Sequence, residues 1–213
     1  MLILGIKFVI MKKIAVLSKG LFVLNVYDFD NTIYDGESIF DFFLFCLKKQ
    51  PSLVRYIPLM VNTLAKYKLC RITAEELTEK AEKYMKRFFS GFEDTQGLIK
   101  EFWDKNIGKI KPFYLQNHRE DDVIITASWD ALIAEACKRL GIHEYIASEI
   151  DKETFRIKFL CYRDNKVHAF REKYRGKKVD SFYTDSKNDL PMMKIAERAY
   201  IVKGGKVKKY DFS

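Results

Sequence analysis

Two short acidic segments hold the residues of this chain best suited to chemistry. Asp28-Phe29-Asp30-Asn31-Thr32 stands at the end of the apolar run 21–27, and Thr184-Asp185-Ser186-Lys187-Asn188-Asp189 follows a second apolar run, 179–183. Carboxylates two residues apart just past a buried strand repel each other, so the pair calls for a cation, a shared proton, or both. A magnesium ion with phosphate against it would satisfy them. Taken singly, each segment is also an ordinary solvated loop, with Thr32 able to cap a following helix. Taken together, two acidic strand ends on the same edge of a parallel sheet can converge on one metal, where open α/β sheets bind their ligands.

Such a convergence requires strands and helices in alternation, and the hydrophobic pattern supplies them. A first strand covers 21–27. Ile39, Phe42, Phe43 and Cys46 at helical spacing predict a helix over 38–49. Pro51 breaks it, and a second apolar helix is expected over 53–66, with Pro58 as a potential kink. Thr73-Ala74-Glu75-Glu76 has the form of a capping box and opens a third helix reaching Phe89; a fourth is expected over 95–105. Strands are then expected at 122–126, 145–150, 155–161 and 178–183, interleaved with helices over 130–140, 166–174 and 188–198. Gly141 ends the first of these helices, and Gly204-Gly205 between 200–203 and 206–210 reads as a hairpin turn. The implied fold class is α/β, a Rossmann-like parallel sheet with helices on both faces and a helical bundle inserted after the first strand. That divides the chain into an apolar extension over 1–20, a core formed by 21–36 and 119–213, and a helical cap over 37–118.

With these segments in place, the chain resembles the haloacid dehalogenase superfamily. Its members carry Asp-x-Asp-x-Thr, a strand-end Thr or Ser, a Lys and a late acidic motif, in that order. Asp28 and Asp30 match the first, Val123-Ile124-Ile125-Thr126-Ala127-Ser128 the second through Thr126, Lys166 the third, and Asp185 with Asp189 the fourth. The helical insert is similar to that of the phosphoserine-phosphatase-like branch, subclass IB. Its apolar first half is more loosely similar to bacterial phosphatidylglycerophosphatases. The sequence also departs from the pattern. Asn31 stands where Gly is common, a position that Asn tolerates because it accepts left-handed geometry. Arg163 replaces the Gly of the usual third motif in Cys161-Tyr162-Arg163-Asp164-Asn165-Lys166. Lys158 competes with Lys166 for the lysine role, although it lies within an expected strand.

The resemblance implies a Mg²⁺-dependent phosphomonoester hydrolase. Asp28 would be nucleophile and metal ligand, forming an aspartyl-phosphate. Asp30 would serve as general acid and then base, lending its backbone carbonyl to the metal, and Asp185 would complete the protein ligands. Thr126, Ala127, Ser128 and Lys166 would hold the phosphate. Asp189 would stand behind them, fixing a metal-bound water or Lys166; Asn188 would assist or merely start a helix. The substrate would be a phosphorylated small molecule or a lipid phosphate. Phe40, Phe43, Phe45, Tyr56, Leu59 and Met60 read as bundle core, or else as a lipid-contacting face; Arg55, Lys66 and Lys68 nearby would suit peripheral contact with an anionic membrane surface. A phosphoamino acid would instead need Glu37 as a compensating charge. A phosphotransferase and a non-catalytic phosphate- or membrane-binding module are the alternatives, and Asp30 speaks against the second, since binding alone needs no general acid.

Composition narrows the field further. At 213 residues, 48% hydrophobic and 31% charged, the chain can bury one good core plus a modest accessory unit. Its net charge of +9 suits an anionic partner, but Lys7, Lys12, Lys13 and Lys19 supply four of these charges ahead of the first strand, and no nucleic-acid-binding pattern accompanies them. Cys46, Cys70, Cys137 and Cys161 are too widely spaced for a zinc site or disulfide framework, which points to a reducing cytoplasm. His118, His143 and His168 are isolated, and neither a Gly-x-Ser-x-Gly nor a Walker glycine loop occurs. The apolar stretch 2–17 is interrupted by lysines, leaving no unbroken run long enough for a membrane span, and lacks a signal-peptide cleavage pattern; the simpler reading is an extension ahead of the true domain, either an upstream start with Met11 as another candidate or an extra strand or helix packed on the core.

Overall fold

A computed structural model describes residues 23–69, 71–151 and 153–212, so the N-terminal extension lies outside the described residues. Strand β1 (Val23–Tyr27) sends Leu24 and Val26 to one side and Tyr27 to the other, and all three are buried. A strand covered on both faces by helices must be apolar on both. β1 is the central strand of a seven-stranded sheet. It pairs in parallel with β2 (Val123–Trp129) on one side and with β5 (Lys178–Thr184) on the other. Beyond β2 lies parallel β3 (Glu144–Ile150), then antiparallel β4 (Ile157–Phe159); beyond β5 lies parallel β6 (Ala196–Lys203), then antiparallel β7 (Lys206–Lys209). The chain thus winds outward from β1 in both directions, and the reversal of order falls between β1 and β5, where a crevice forms at the strand ends.

The connection from β1 to β2 is helical. It contains α1 (Ser38–Lys49), a 3₁₀ turn over Pro51–Tyr56, α2 (Ile57–Lys68), α3 (Ala74–Phe89), α4 (Thr95–Asn106) and short α5 (Pro112–Asn117). The capping box expected at Thr73 is present, with Thr73 Oγ1 accepting from Glu76 N–H and Glu76 accepting from Thr73 N–H. Pro58 does not kink a long helix. It sits in the first turn of α2, where its missing N–H costs nothing, and the preceding residues form the 3₁₀ turn instead.

Beyond the insert, α6 (Asp130–Leu140) packs with α1 and α4 on the Tyr27 face of the sheet, while α7 (Asp164–Lys173) and α8 (Leu190–Ile195) cover the other. Trp103 of α4, fully buried, locks insert to core: its indole N–H donates to the Leu132 carbonyl at 2.8 Å, and Phe29, Tyr34 and Phe102 meet it edge-on. Of the residues read as bundle core or lipid face, Phe45 is buried, Phe43 and Tyr56 are partly buried, Phe40 and Leu59 are exposed, and the Met60 side chain lies outside what is described. The last helix is shorter than its pattern suggests. A 3₁₀ turn (Lys187–Asp189) precedes α8, and Ala196 already pairs with Val179, so residues 196–199 are strand.

Arg163 opens α7 in a conformation that suits glycine, with φ +51° and ψ −121°. The loop therefore keeps the glycine-type geometry of the motif it resembles, and the arginine bears the strain. Such strain is worth about 1–3 kcal/mol, partly offset by the flexibility a glycine adds to the unfolded chain. Because Arg163 is exposed, Arg163→Gly should stabilise the protein by about 1 kcal/mol in urea titrations. A clear loss of stability would show that the Arg163 side chain outweighs its backbone strain.

Candidate active site

The register of the sheet aligns the chemistry. Tyr27 pairs with Ile124 on one side and Tyr183 on the other, so Asp28, Thr126 and Asp185 emerge at the same carboxyl edge. Asp28 N–H donates to the Tyr183 carbonyl at 2.9 Å, extending the ladder one residue past β1. Next, Asn31 turns the chain with φ +55°, as its place in the motif predicts. Thr32 caps no helix, since the residue before α1 is Glu37. Instead its buried hydroxyl donates to Asp28 Oδ2 at 3.2 Å and accepts from Asp185 N–H at 2.9 Å, tying the two acidic segments together.

At the centre stands Lys166, 2% exposed. Its ammonium lies 2.8 Å from Asp28 Oδ1 and 2.8 Å from Asp189 Oδ1. Burial pulls its pKa down, but Asp28 and Asp189 outweigh that and hold it above the usual lysine range. Asp189 is fixed further by the Thr184 hydroxyl at 2.8 Å. Asp28 is pushed up to about 7 by burial, with Lys166 opposing. Lys158, the competing lysine, is exposed and paired with Asp151 at 2.8 Å, away from this group.

Asp30 sits in different company. Its Oδ1 accepts the Ser38 N–H at 2.7 Å at the start of α1, and its Oδ2 accepts a short hydrogen bond from Ser128 Oγ. Burial raises its pKa, with Ser128 and Ser38 opposing. β2 leaves its pairing with β3 between Ile125 and Trp129, freeing Thr126-Ala127-Ser128 from the ladder. Thr126 Oγ1 accepts from Ser128 N–H at 3.1 Å and retains its own proton to donate; Ala127 is exposed. Ser128, expected on phosphate, has its hydroxyl directed to Asp30. Asn188 is exposed in the 3₁₀ turn, its N–H accepted by Ser186 Oγ.

Asp185 is half-buried, burial raises its pKa against the pull of Lys203, and among the described residues it makes no ion pair. Those residues contain no cluster of three Asp, Glu, His or Cys side chains arranged as a metal cage. A magnesium site asks for less: one or two carboxylates, with waters and substrate phosphate completing the octahedron. Asp28 and Asp185, bridged by Thr32, fit that requirement, while the Asp30 carboxylate is engaged with Ser38 and Ser128.

Two contributors had little sequence signal. Ser38 acts through backbone position as well as its hydroxyl, which lies 3.0 Å from Ser128 Oγ. Lys111, 5% exposed, donates a short hydrogen bond to the Asn31 carbonyl and lies 3.9 Å from Asp35; burial lowers its pKa, with Asp35 and Asp185 opposing. It clamps the loop after β1 from the far end of the insert, eighty residues away.

An open, mainly parallel sheet with a carboxylate–lysine–carboxylate cluster at its switch point defines an α/β enzyme site. The chain belongs to the haloacid dehalogenase-like hydrolase family, whose model matches residues 26–194. No curated protein matches the sequence. Among solved structures it is similar to a Bordetella pertussis protein described as of unknown function (19% identity, TM-score 0.64, covering 84% of this chain and 88% of that one). It is also similar to a phosphoserine phosphohydrolase-like protein from Francisella tularensis (19%, 0.50, 83% and 85%) and a probable phosphoserine phosphatase from Vibrio cholerae (10%, 0.53, 84% and 55%). At these identities the likeness is one of fold.

Lys166→Met would leave Asp28 and Asp189 buried without their cation, at a cost of about 3–5 kcal/mol at pH 8. A carboxylate with a raised folded pKa contributes stability below its unfolded pKa and loses it as pH rises through the folded one. Asp28, already pushed to about 7, would rise further, so the deficit should shrink as pH falls from 8 toward 4. Denaturation without divalent cations measures this, and a deficit independent of pH would contradict the assigned ion pair.

Proposed function

We propose that the protein is a Mg²⁺-dependent phosphomonoester hydrolase working through an aspartyl-phosphate on Asp28. One observation carries the reading: two carboxylates two residues apart are held in separate environments, Asp28 against Lys166 and Asp30 against Ser38 and Ser128. Dividing two carboxyl groups this way assigns them separate roles in nucleophilic and acid–base chemistry.

Asp28 attacks phosphorus as the ester P–O bond breaks, and Asp30 supplies the proton that the departing alkoxide takes. Burial raises the Asp30 pKa and so favours the protonated form this step needs. Asp30 then accepts a proton from water as that water attacks the phosphoryl group, releasing phosphate and restoring Asp28. Lys166 offsets the negative charge on Asp28, and the free proton of Thr126 with the Ala127 backbone meets the phosphoryl oxygens. Asp28, Asp185 and the Asp30 carbonyl would hold Mg²⁺. When bound, the ion supplies positive charge against the nucleophile and the phosphate. Asp189 acts through Lys166, which it holds.

The helices between β1 and β2 would form a cap that screens the site from water. Two substrate classes fit this chemistry, a lipid or amphipathic phosphate and a small polar ester. The Vibrio cholerae relative is described as a probable phosphoserine phosphatase, and such a substrate would call on Glu37, whose carboxylate accepts from Asn31 at 2.5 Å. Among the described residues no helix is long and apolar enough to cross a membrane.

Phosphate release from a panel of lipid phosphates, phosphoamino acids, sugar phosphates and nucleotides tests the reaction. Asp30→Asn should lower turnover by about 10²–10⁴-fold while calorimetric Mg²⁺ affinity changes little. Near-normal turnover in that variant would remove Asp30 from the acid–base role. Transfer of phosphate to added alcohols in preference to water would make the protein a phosphotransferase.

A further inference from the structure

An apolar concavity lies between the helical insert and the core. It has a volume of about 440 Å³, within the range of single-ligand pockets. Ile39 and Phe43 of α1, Val61 of α2, Phe89 of α3, and Trp129 and Phe155 from the core side enclose it. Phe155 reaches this wall with φ +58° and stacks on Phe89 at a centroid distance of 5.3 Å. The wall hydroxyls of Thr63 and Tyr84 pair with each other at 3.2 Å. The rim is open: Phe40 is 56% and Val61 58% exposed, a cost in water that an apolar occupant would remove.

Its position relates it to the site. Ile39 follows Ser38, and Trp129 follows Ser128; Ser38 and Ser128 both hydrogen-bond the Asp30 carboxylate. The side on which Asp30 would release a leaving group is therefore continuous in sequence with the apolar wall. Trp129, 4% exposed, forms the core-side wall, its ring centroid 5.5 Å from that of Phe89.

Resting on the hydrolase reading above, we propose that this cavity receives the leaving group, and that the substrate is a single-chain amphipathic phosphomonoester. It carries one alkyl or acyl chain. The apolar side chains converge into a concavity instead of forming a convex face. That shape suits one enclosed chain better than a helix lying on a bilayer. Chemically the reaction is unchanged: the P–O bond to the chain-bearing oxygen breaks, and that oxygen takes the proton from Asp30.

The test is kcat/KM with Mg²⁺ for n-alkyl phosphates from ethyl to octyl, in solution and in phosphatidylcholine vesicles. Values should climb about two- to fourfold per methylene and level off once the cavity is full. Ala81→Trp, which fills the cavity from α3, should flatten the climb. A chain-independent kcat/KM would overturn the proposal, as would turnover of long chains only in vesicles, which would assign the apolar face to a membrane surface. If no ester is turned over, the hydrolase reading fails on its own. Calorimetry of ethyl- and octylphosphonate with the Asp28→Asn protein then decides the cavity: tighter octyl binding supports it, and equal affinities overturn it.

Discussion

The buried ammonium of Lys166 holds this site together. It joins the loop after β1, the start of α7 and the turn before α8, segments 138 and 23 residues apart in sequence. Removing three charges from water is expensive, and only close mutual pairing with added hydrogen bonds offsets that cost. Thr32 and Thr184 supply those bonds, the first to Asp28 and the second to Asp189. Because each partner sits at the carboxyl edge of a central strand, the sheet register determines whether the cluster can form at all. A one-residue slip of β5 against β1 would move Asp185 and Asp189 away from Asp28.

This arrangement gives Asp28 and Asp30 different surroundings by placement alone. Asp28 faces the lysine and the switch point; Asp30 faces the start of α1 and the unpaired stretch of β2. The helical insert thus takes part in the site before any substrate arrives. Ser38 at its beginning holds Asp30, and Lys111 at its end holds the Asn31 carbonyl.

Much of this was legible in the residues themselves. Apolar runs that end in acidic clusters mark strand ends at a sheet edge, and four motifs in order identify a shared architecture. Asn31 was readable as a left-handed turn because few other residues adopt that geometry. What escaped had physical reasons. Pro58 is equally compatible with a kink and a helix start, and tertiary packing chose the start. Residues 196–198 fit a helix by local pattern, but pairing with β5 converts them to strand. Ser38 and Lys111 acquire their roles from contacts made across the fold, which no local spacing encodes. The apolar cavity is hidden for a related cause, because core-facing and cavity-facing aromatics have the same helical period.

The central claim is that Asp28 becomes covalently phosphorylated. Rapid mixing with a turned-over phosphomonoester and Mg²⁺, acid quench and mass spectrometry of the peptides tests it directly. The account predicts a phosphoryl group on the peptide containing Asp28, absent from the Asp28→Asn protein and labile to hydroxylamine. A phosphoryl group on another residue, or turnover in which no quench time traps a covalent intermediate, would contradict it.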